Sequence, residues 1–234
     1  MITPLPPLSS FRAVLFDLDN TLLDHNHAAH VGVIEWSNRL GVPPDPARWA
    51  EVERRHFLAF ERGELSHDQQ RYMRIREYLG RPGLTDAEAA ELFSDYISCY
   101  QAALIPIPHA AQTLAKALSL VDAHNATVGI LTNGAAALQT RKMQMAGLWD
   151  ERLVMLAAKE LGSAKPNREC YVRALAAIDV APQDAIVIGD DLTNDVLGPR
   201  SAGLAAIYFA RDGEGAAAAP PGVPVVSRLT ELLW

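Results

Sequence analysis

Val14-Leu15-Phe16-Asp17-Leu18-Asp19-Asn20-Thr21 is the stretch on which the fold turns. Residues 13–17 read as a short strand buried on both faces, because they are apolar and bulky and stop abruptly at an acid. A run that is nearly continuous in apolar residues, rather than alternating, belongs in a sheet covered on both sides. Asp17 then stands at the strand's carboxyl end, where open α/β sheets place their ligands. If the chain stays extended, Asp19 points the same way, since side chains alternate with a period of two. Two carboxylates so placed repel unless a positive charge lies between them, and hard oxygen donors suit a divalent cation such as magnesium. Asn20 and Thr21 can hydrogen-bond nearby backbone and close the turn. Taken alone, the same residues also fit an acidic strand-to-loop turn without chemistry.

The rest of the chain sets the frame for that strand. With 234 residues, 49% of them apolar and 21% charged, it has the composition of a soluble globular protein able to bury one large core, or one core with an inserted unit. A formal charge of −7 argues against binding a nucleic-acid polymer, which needs a basic face. It leaves room for a small phosphorylated substrate whose charge a metal ion offsets locally. Cys99 and Cys170 have no metal or redox spacing and are expected as buried reduced thiols, in keeping with a cytoplasmic location. The start, Met1 to Pro7, lacks the basic and apolar regions of a signal peptide, and no apolar run approaches the ~20 residues that span a bilayer. Gly213-Glu214-Gly215, four alanines, Pro220, Pro221 and Gly222 read as a surface loop.

After Thr21 the periodicity changes. Residues 24–104 carry helical patterns with little strand signal. Val31, Ile34 and Leu40 mark one side of a first helix that stops at Gly41. Trp49, Val52, His56 or Phe57, and Phe60 mark a second. Ser66 can cap a third with Tyr72, Ile75 and Leu79 on one face. Thr85 and Glu88 form a capping box for a fourth, lined by Phe93, Ile97, Tyr100 and Leu104. From residue 105 strand and helix alternate, with strands expected at 127–131, 153–156, 185–188 and 205–209 and a last one near 223–226. That rhythm implies an α/β fold: a Rossmann-like, doubly wound parallel-sheet core made of residues 1–23 and 105–234, interrupted by an all-helical cap at 24–104.

Three further strand ends carry polar groups. Thr132-Asn133-Gly134 follows the strand at 127–131 and precedes a helix, where a hydroxyl and exposed N–H groups can seat phosphate or simply cap the helix. Lys165-Pro166 lies before a helix starting near Asn167, with Pro166 suited to the first helical position. Gly189-Asp190-Asp191-Leu192-Thr193-Asn194-Asp195 follows Ile186-Val187-Ile188; the glycine allows a tight turn, and the clustered acids favour a cation. Parallel strands present their carboxyl ends to one edge, so these groups converge with Asp17.

Asp17-x-Asp19-x-Thr21, Thr132-Asn133-Gly134, Lys165-Pro166 and Gly189-Asp190-x-x-x-x-Asp195, in that order, resemble the haloacid dehalogenase superfamily of aspartate-nucleophile phosphohydrolases. The resemblance covers residues 12–23 and 105–210, and the insert matches the family's α-helical cap type in position and character. It implies a phosphatase acting on a small phosphorylated metabolite such as a nucleotide or sugar phosphate. By resemblance Asp17 is the nucleophile, Asp19 the acid and base in turn, and Lys165 the shield between Asp17 and phosphate. Thr132, Asn133 and Gly134 bind substrate phosphate. Magnesium is held by Asp17, the backbone carbonyl of Asp19 and Asp190, with Asp195 assisting; Asp191 competes with Asp190 for the direct role. An acid at position 19 points to phosphate chemistry, since dehalogenases of the superfamily lack it. Gln139, Lys142 and Gly147-Leu148 resemble its nucleotidase and acylneuraminate-phosphatase branch. A sugar phosphomutase, a receiver-type phospho-acceptor and a non-catalytic relative are the competing readings. Eight arginines lie between Arg48 and Arg81, most of them expected as solvated partners of glutamates.

Overall fold

A computed structural model describes residues 3–233; Met1 and Ile2, which open the segment read above for a leader, and Trp234 lie outside it. The chain divides into two compact units. One runs to Asp24 and resumes at Pro106, and the other is continuous over His25–Ile105.

The first unit is built on a parallel sheet. Strand β1 (Ala13–Phe16) is fully buried at every residue, so both its faces are covered, as its unbroken apolar sequence requires. The chain then leaves for the four helices of the second unit: α1 (His25–Leu40), α2 (Pro46–Glu61), α3 (His67–Tyr78) and α4 (Asp86–Ala102). It returns where Leu23 and Pro106 pair in an antiparallel bridge. Next come α5 (Ala110–His124), β2 (Thr127–Thr132), α6 (Ala136–Met145), β3 (Val154–Ala157), α7 (Ala158–Leu161), α8 (Arg168–Ala177), β4 (Ala185–Gly189), α9 (Gly198–Ser201), β5 (Ala205–Phe209) and β6 (Val225–Val226). The strand order is β3-β2-β1-β4-β5-β6 with every neighbour parallel. This is the doubly wound order, and its switch point lies between β1 and β4.

Register decides what meets at that point. Phe16 is level with Ile130 of β2 on one side and Ile188 of β4 on the other. The Asp17 N–H continues the ladder by donating to the Ile188 carbonyl at 2.9 Å. The residues following these strands therefore emerge side by side at one sheet edge. Beneath them, Leu15, Leu131, Leu156 and Val187 pack against Cys170, Tyr171, Ala174 and Leu175 of α8.

The helical unit corrects several sequence expectations. The buried side of α1 is Ala28, Ala29, Gly32, Val33, Trp36 and Ser37, whereas Val31 and Leu40 are exposed. Size is the reason: a Cβ at Gly32 would come within 2.7 Å of the Tyr100 Cα, so only a small-residue stripe lets α1 and α4 approach so closely. In α2 the buried residue is His56, bonded to Glu77 at 2.7 Å, and not Phe57. Tyr78 and Tyr96, absent from the expected stripes of α3 and α4, join Trp36 and Trp49 in an aromatic core. Their hydroxyls reach it because each is bonded, Tyr96 accepting from Trp49 Nε1 at 3.0 Å and Tyr78 pairing with Ser37 at 2.9 Å. The capping boxes at Ser66 and Thr85 are both formed. Among the arginines, Arg74 is buried against Glu53 at 2.5 Å, unlike the solvated pair Arg62–Glu64.

Candidate active site

Four loops at the carboxyl edge of the sheet supply the polar groups. Asp17, after β1, receives the Lys165 ammonium at 2.7 Å on Oδ1, and the same ammonium reaches Asp195 Oδ1 at 2.7 Å. Lys165 is almost wholly buried, and its backbone is clamped by Asn133, which accepts from the Lys165 N–H at 2.7 Å and donates to its carbonyl at 2.8 Å. The side chain of Asn133 thus fixes the lysine, a task the sequence did not suggest. Pro166 precedes the helix rather than opening it; Asn167 is the cap of α8, accepting from the Glu169 N–H.

After β4 the chain forms a π-helical turn, Leu192–Leu197. Asp191 caps that turn, its Oδ1 accepting from the N–H groups of Thr193 at 2.8 Å and Asn194 at 2.7 Å. Asp190 is instead turned to Thr21, which donates to Oδ1 at 3.3 Å and accepts from the Asp190 N–H at 3.1 Å. Among the described residues, Asp17, Asp190 and Asp195 each offer a carboxylate oxygen within 4.8 Å of the others. Gly189 serves close approach and not a special turn: a Cβ there would lie 2.3 Å from the Asp195 carboxyl.

Asp19 departs from the extended geometry assumed from sequence. The strand ends at Phe16, and Asn20 adopts a left-handed φ of 64°. The Asp19 carboxylate meets the Lys142 ammonium at 2.5 Å and the Gln139 amide at 3.0 Å. The positive charge facing this acid is thus a lysine of α6. Thr132, buried at the end of β2, accepts from Gln139 Nε2 at 2.8 Å and from the Gly134 N–H at 3.1 Å.

The electrostatics of this cluster are lopsided. Burial pushes the Asp17 carboxyl up to about 7, with Lys165 opposing and Asp195 and Asp19 adding to the rise. Asp190 is pushed up to about 9 by burial and then by Asp17 and Asp195. Asp195 is also raised, by burial first. Burial pulls Lys165 downward, yet the two carboxylates it touches carry it well above the ordinary lysine range. Were all three carboxylates ionised against one ammonium, two negative charges would stand uncompensated, and that repulsion together with burial is what holds protons on Asp17 and Asp190. A divalent cation cancels that excess, and an all-oxygen donor set is the kind magnesium takes.

A family model described as haloacid dehalogenase-like hydrolase matches residues 11–203, and the chain belongs to that family. It is 30% identical over 206 residues to the ribulose-1,5-bisphosphate 5-phosphatase of Halopiger xanaduensis, covering 84% of each chain. It is 25% identical over 214 residues to the pyrimidine 5'-nucleotidase PynA of Streptococcus pneumoniae, covering 85% of this chain and 84% of that one. Among solved structures it is similar to the HAD-hydrolase YfnB from Bacillus subtilis bound to magnesium. That likeness has a TM-score of 0.80 at 22% identity, over 95% of this chain and 96% of the other, and shows a shared fold. The chain is an enzyme, a hydrolase of the phosphatase kind. No helix among the described residues is long and apolar enough to cross a membrane.

Proposed function

We propose that this protein is a magnesium-dependent phosphomonoester hydrolase that works on a small phosphorylated metabolite through an aspartyl-phosphate. The observation that carries the reading is the buried Asp17 carboxylate at the switch point, bonded to Lys165 and grouped with Asp190 and Asp195. Asp17 attacks phosphorus, forming an oxygen–phosphorus bond as the bond to the departing alcohol breaks. Asp19 gives its proton to that alkoxide, then takes one from the water that attacks the phosphoryl group and frees Asp17. Lys165 steadies the nucleophile and neutralises charge on the transferring oxygens. Thr132 accepts two hydrogen bonds, one of them from the Gly134 N–H, so its own proton is left to donate to a phosphoryl oxygen beside the Asn133 N–H, and Gly134 acts through Thr132 rather than on the phosphate itself. Asp17, Asp190 and the Asp19 carbonyl, with Asp195 alongside, would hold magnesium, whose charge would offset the repulsion between an anionic nucleophile and an anionic ester. The helical unit, inserted directly after the nucleophile's loop, is assigned to substrate selection. The relatives named for a sugar bisphosphate and for pyrimidine nucleotides favour a phosphorylated sugar or nucleotide. A cytoplasmic setting fits the unpaired buried thiols Cys99 and Cys170.

Hydrolysis of p-nitrophenyl phosphate with magnesium, its loss on chelation and its return on adding magnesium test the reading. Activity indifferent to chelation removes the cation, and no phosphate release from this ester or from a panel of phosphorylated metabolites removes the function. The shape of the acid cluster gives a second expectation. In Gly189→Ala the new methyl displaces Asp195 from Lys165, and a misplacement on that scale lowers kcat by about 10²-fold. Wild-type kcat in the folded variant would show that Asp195 has no part in placing Lys165.

A further inference from the structure

Gln139 and Lys142 stand one turn apart on α6 and share a face of the helix. Both are buried, with 1% and 4% of their surface exposed. An ammonium so placed needs a counter-charge, and its 2.5 Å bond to Asp19 Oδ1 provides one. Gln139 uses a single nitrogen twice, donating to Asp19 Oδ2 at 3.0 Å and to Thr132 Oγ1 at 2.8 Å. In the ionised form left after it has protonated the alkoxide, Asp19 only accepts, and so it fixes which end of the amide faces it. The other end, Gln139 Oε1, is buried without a partner, a cost that the orientation bears for the sake of Asp19 and Thr132. Gly134 leaves the room for this amide, since a Cβ there would come 2.5 Å from Gln139 Nε2. With the Gly134 N–H on its second acceptor site, Thr132 is left as a donor.

We propose that Gln139 and Lys142 are positioning residues, by which one face of α6 sets the direction of the Asp19 carboxylate and, through Gln139, turns the Thr132 hydroxyl outward as a donor. This rests on the acid/base role of Asp19 and the phosphate-holding role of Thr132 proposed above. Lys142 acts on the departing alcohol only through Asp19. Gln139 acts on both the alcohol and the phosphoryl group.

The test uses two esters of similar size, p-nitrophenyl phosphate and phenyl phosphate, of which the second has the poorer leaving group. Wild type, Lys142→Met, Asp19→Asn and the double variant are compared. Lys142→Met is expected to lower kcat on phenyl phosphate about tenfold or more and on p-nitrophenyl phosphate less than about threefold, with KM nearly unchanged. The double variant is expected to be no slower than Asp19→Asn, because effects routed through one group do not multiply. Equal losses on both esters, or multiplying losses in the double variant, overturn the proposal. Should Lys142→Met not fold, Gln139→Met carries the same comparison, with a rise in KM added because Thr132 loses its orientation. A wild type that hydrolyses neither ester strikes the phosphatase reading itself; an active wild type with multiplying losses strikes the positioning role alone.

Discussion

Asp17→Asn is expected to lower kcat toward p-nitrophenyl phosphate by about 10⁴-fold or more while the protein stays folded. An amide of the same shape fills the same space at the end of β1, but its nitrogen has no lone pair to offer phosphorus. The Lys165 ammonium keeps Asp195 as a partner at 2.7 Å, so the substitution strands no buried positive charge. In the metal-free protein the exchange relieves crowding, because burial already holds the Asp17 carboxyl up to about 7. The folded state binds that proton more tightly than the unfolded chain does, so this group takes stability away as pH climbs from about 4 to about 7. At pH 8 the variant is therefore expected to melt no lower than the chelated wild type. Steady-state assays, a search for phosphate trapped on the protein and a thermal melt check the three parts. A folded Asp17→Asn that keeps more than about a hundredth of wild-type kcat would mean that another group attacks phosphorus.

The fold was legible because its determinants are local. An unbroken apolar run at 13–16 has few places to go except a sheet covered on both faces, and the later alternation of strand and helix fixes the strands as parallel. Strand-end acids at Asp17 and Asp190 were readable for the same reason: a charge directly after a buried strand stands at the sheet edge. What sequence could not give was the direction of side chains in the loops. Asp19 was read as facing Asp17 across a metal, but the left-handed turn at Asn20 brings its carboxylate to Lys142. Asp190 was preferred over Asp191 only by the family's spacing, and sequence did not show that the π-helical turn takes Asp191 as its cap. Asn133 looked like a phosphate ligand, whereas its side chain spends two hydrogen bonds on the Lys165 backbone across 32 positions of sequence. In the helical unit, periodicity found the helices but chose the wrong side of α1. Hydrophobicity does not reveal that a glycine and two alanines form the face that can touch α4.

Removal of divalent cation by chelation is expected to make the core unit's stability fall steadily as pH rises from about 4 toward 9, and magnesium to restore it chiefly at the alkaline end. Asp17, Asp190 and Asp195 all have their carboxyls raised by burial and by one another, the first to about 7 and the second to about 9. Between the ordinary carboxylate range and those values the unfolded chain has released protons that the folded state still holds. Fewer protons bound in the unfolded state means that stability declines with pH across that window. At 1.36 kcal/mol per pKa unit, the loss between pH 5 and pH 8 amounts to several kcal/mol, a drop of about 10 °C or more in Tm for a chain of this size. Lys165 opposes the trend too weakly to cancel it, since it carries one charge against three. A divalent cation among the same carboxylates takes the place of the retained protons, so its stabilisation grows as proton competition fades. Melts at pH 5, 7 and 8, with chelator and with millimolar magnesium, read this out. A chelated protein whose Tm is flat over that range, or a magnesium shift as large at pH 5 as at pH 8, would show that the acid cluster carries no uncompensated charge and holds no cation.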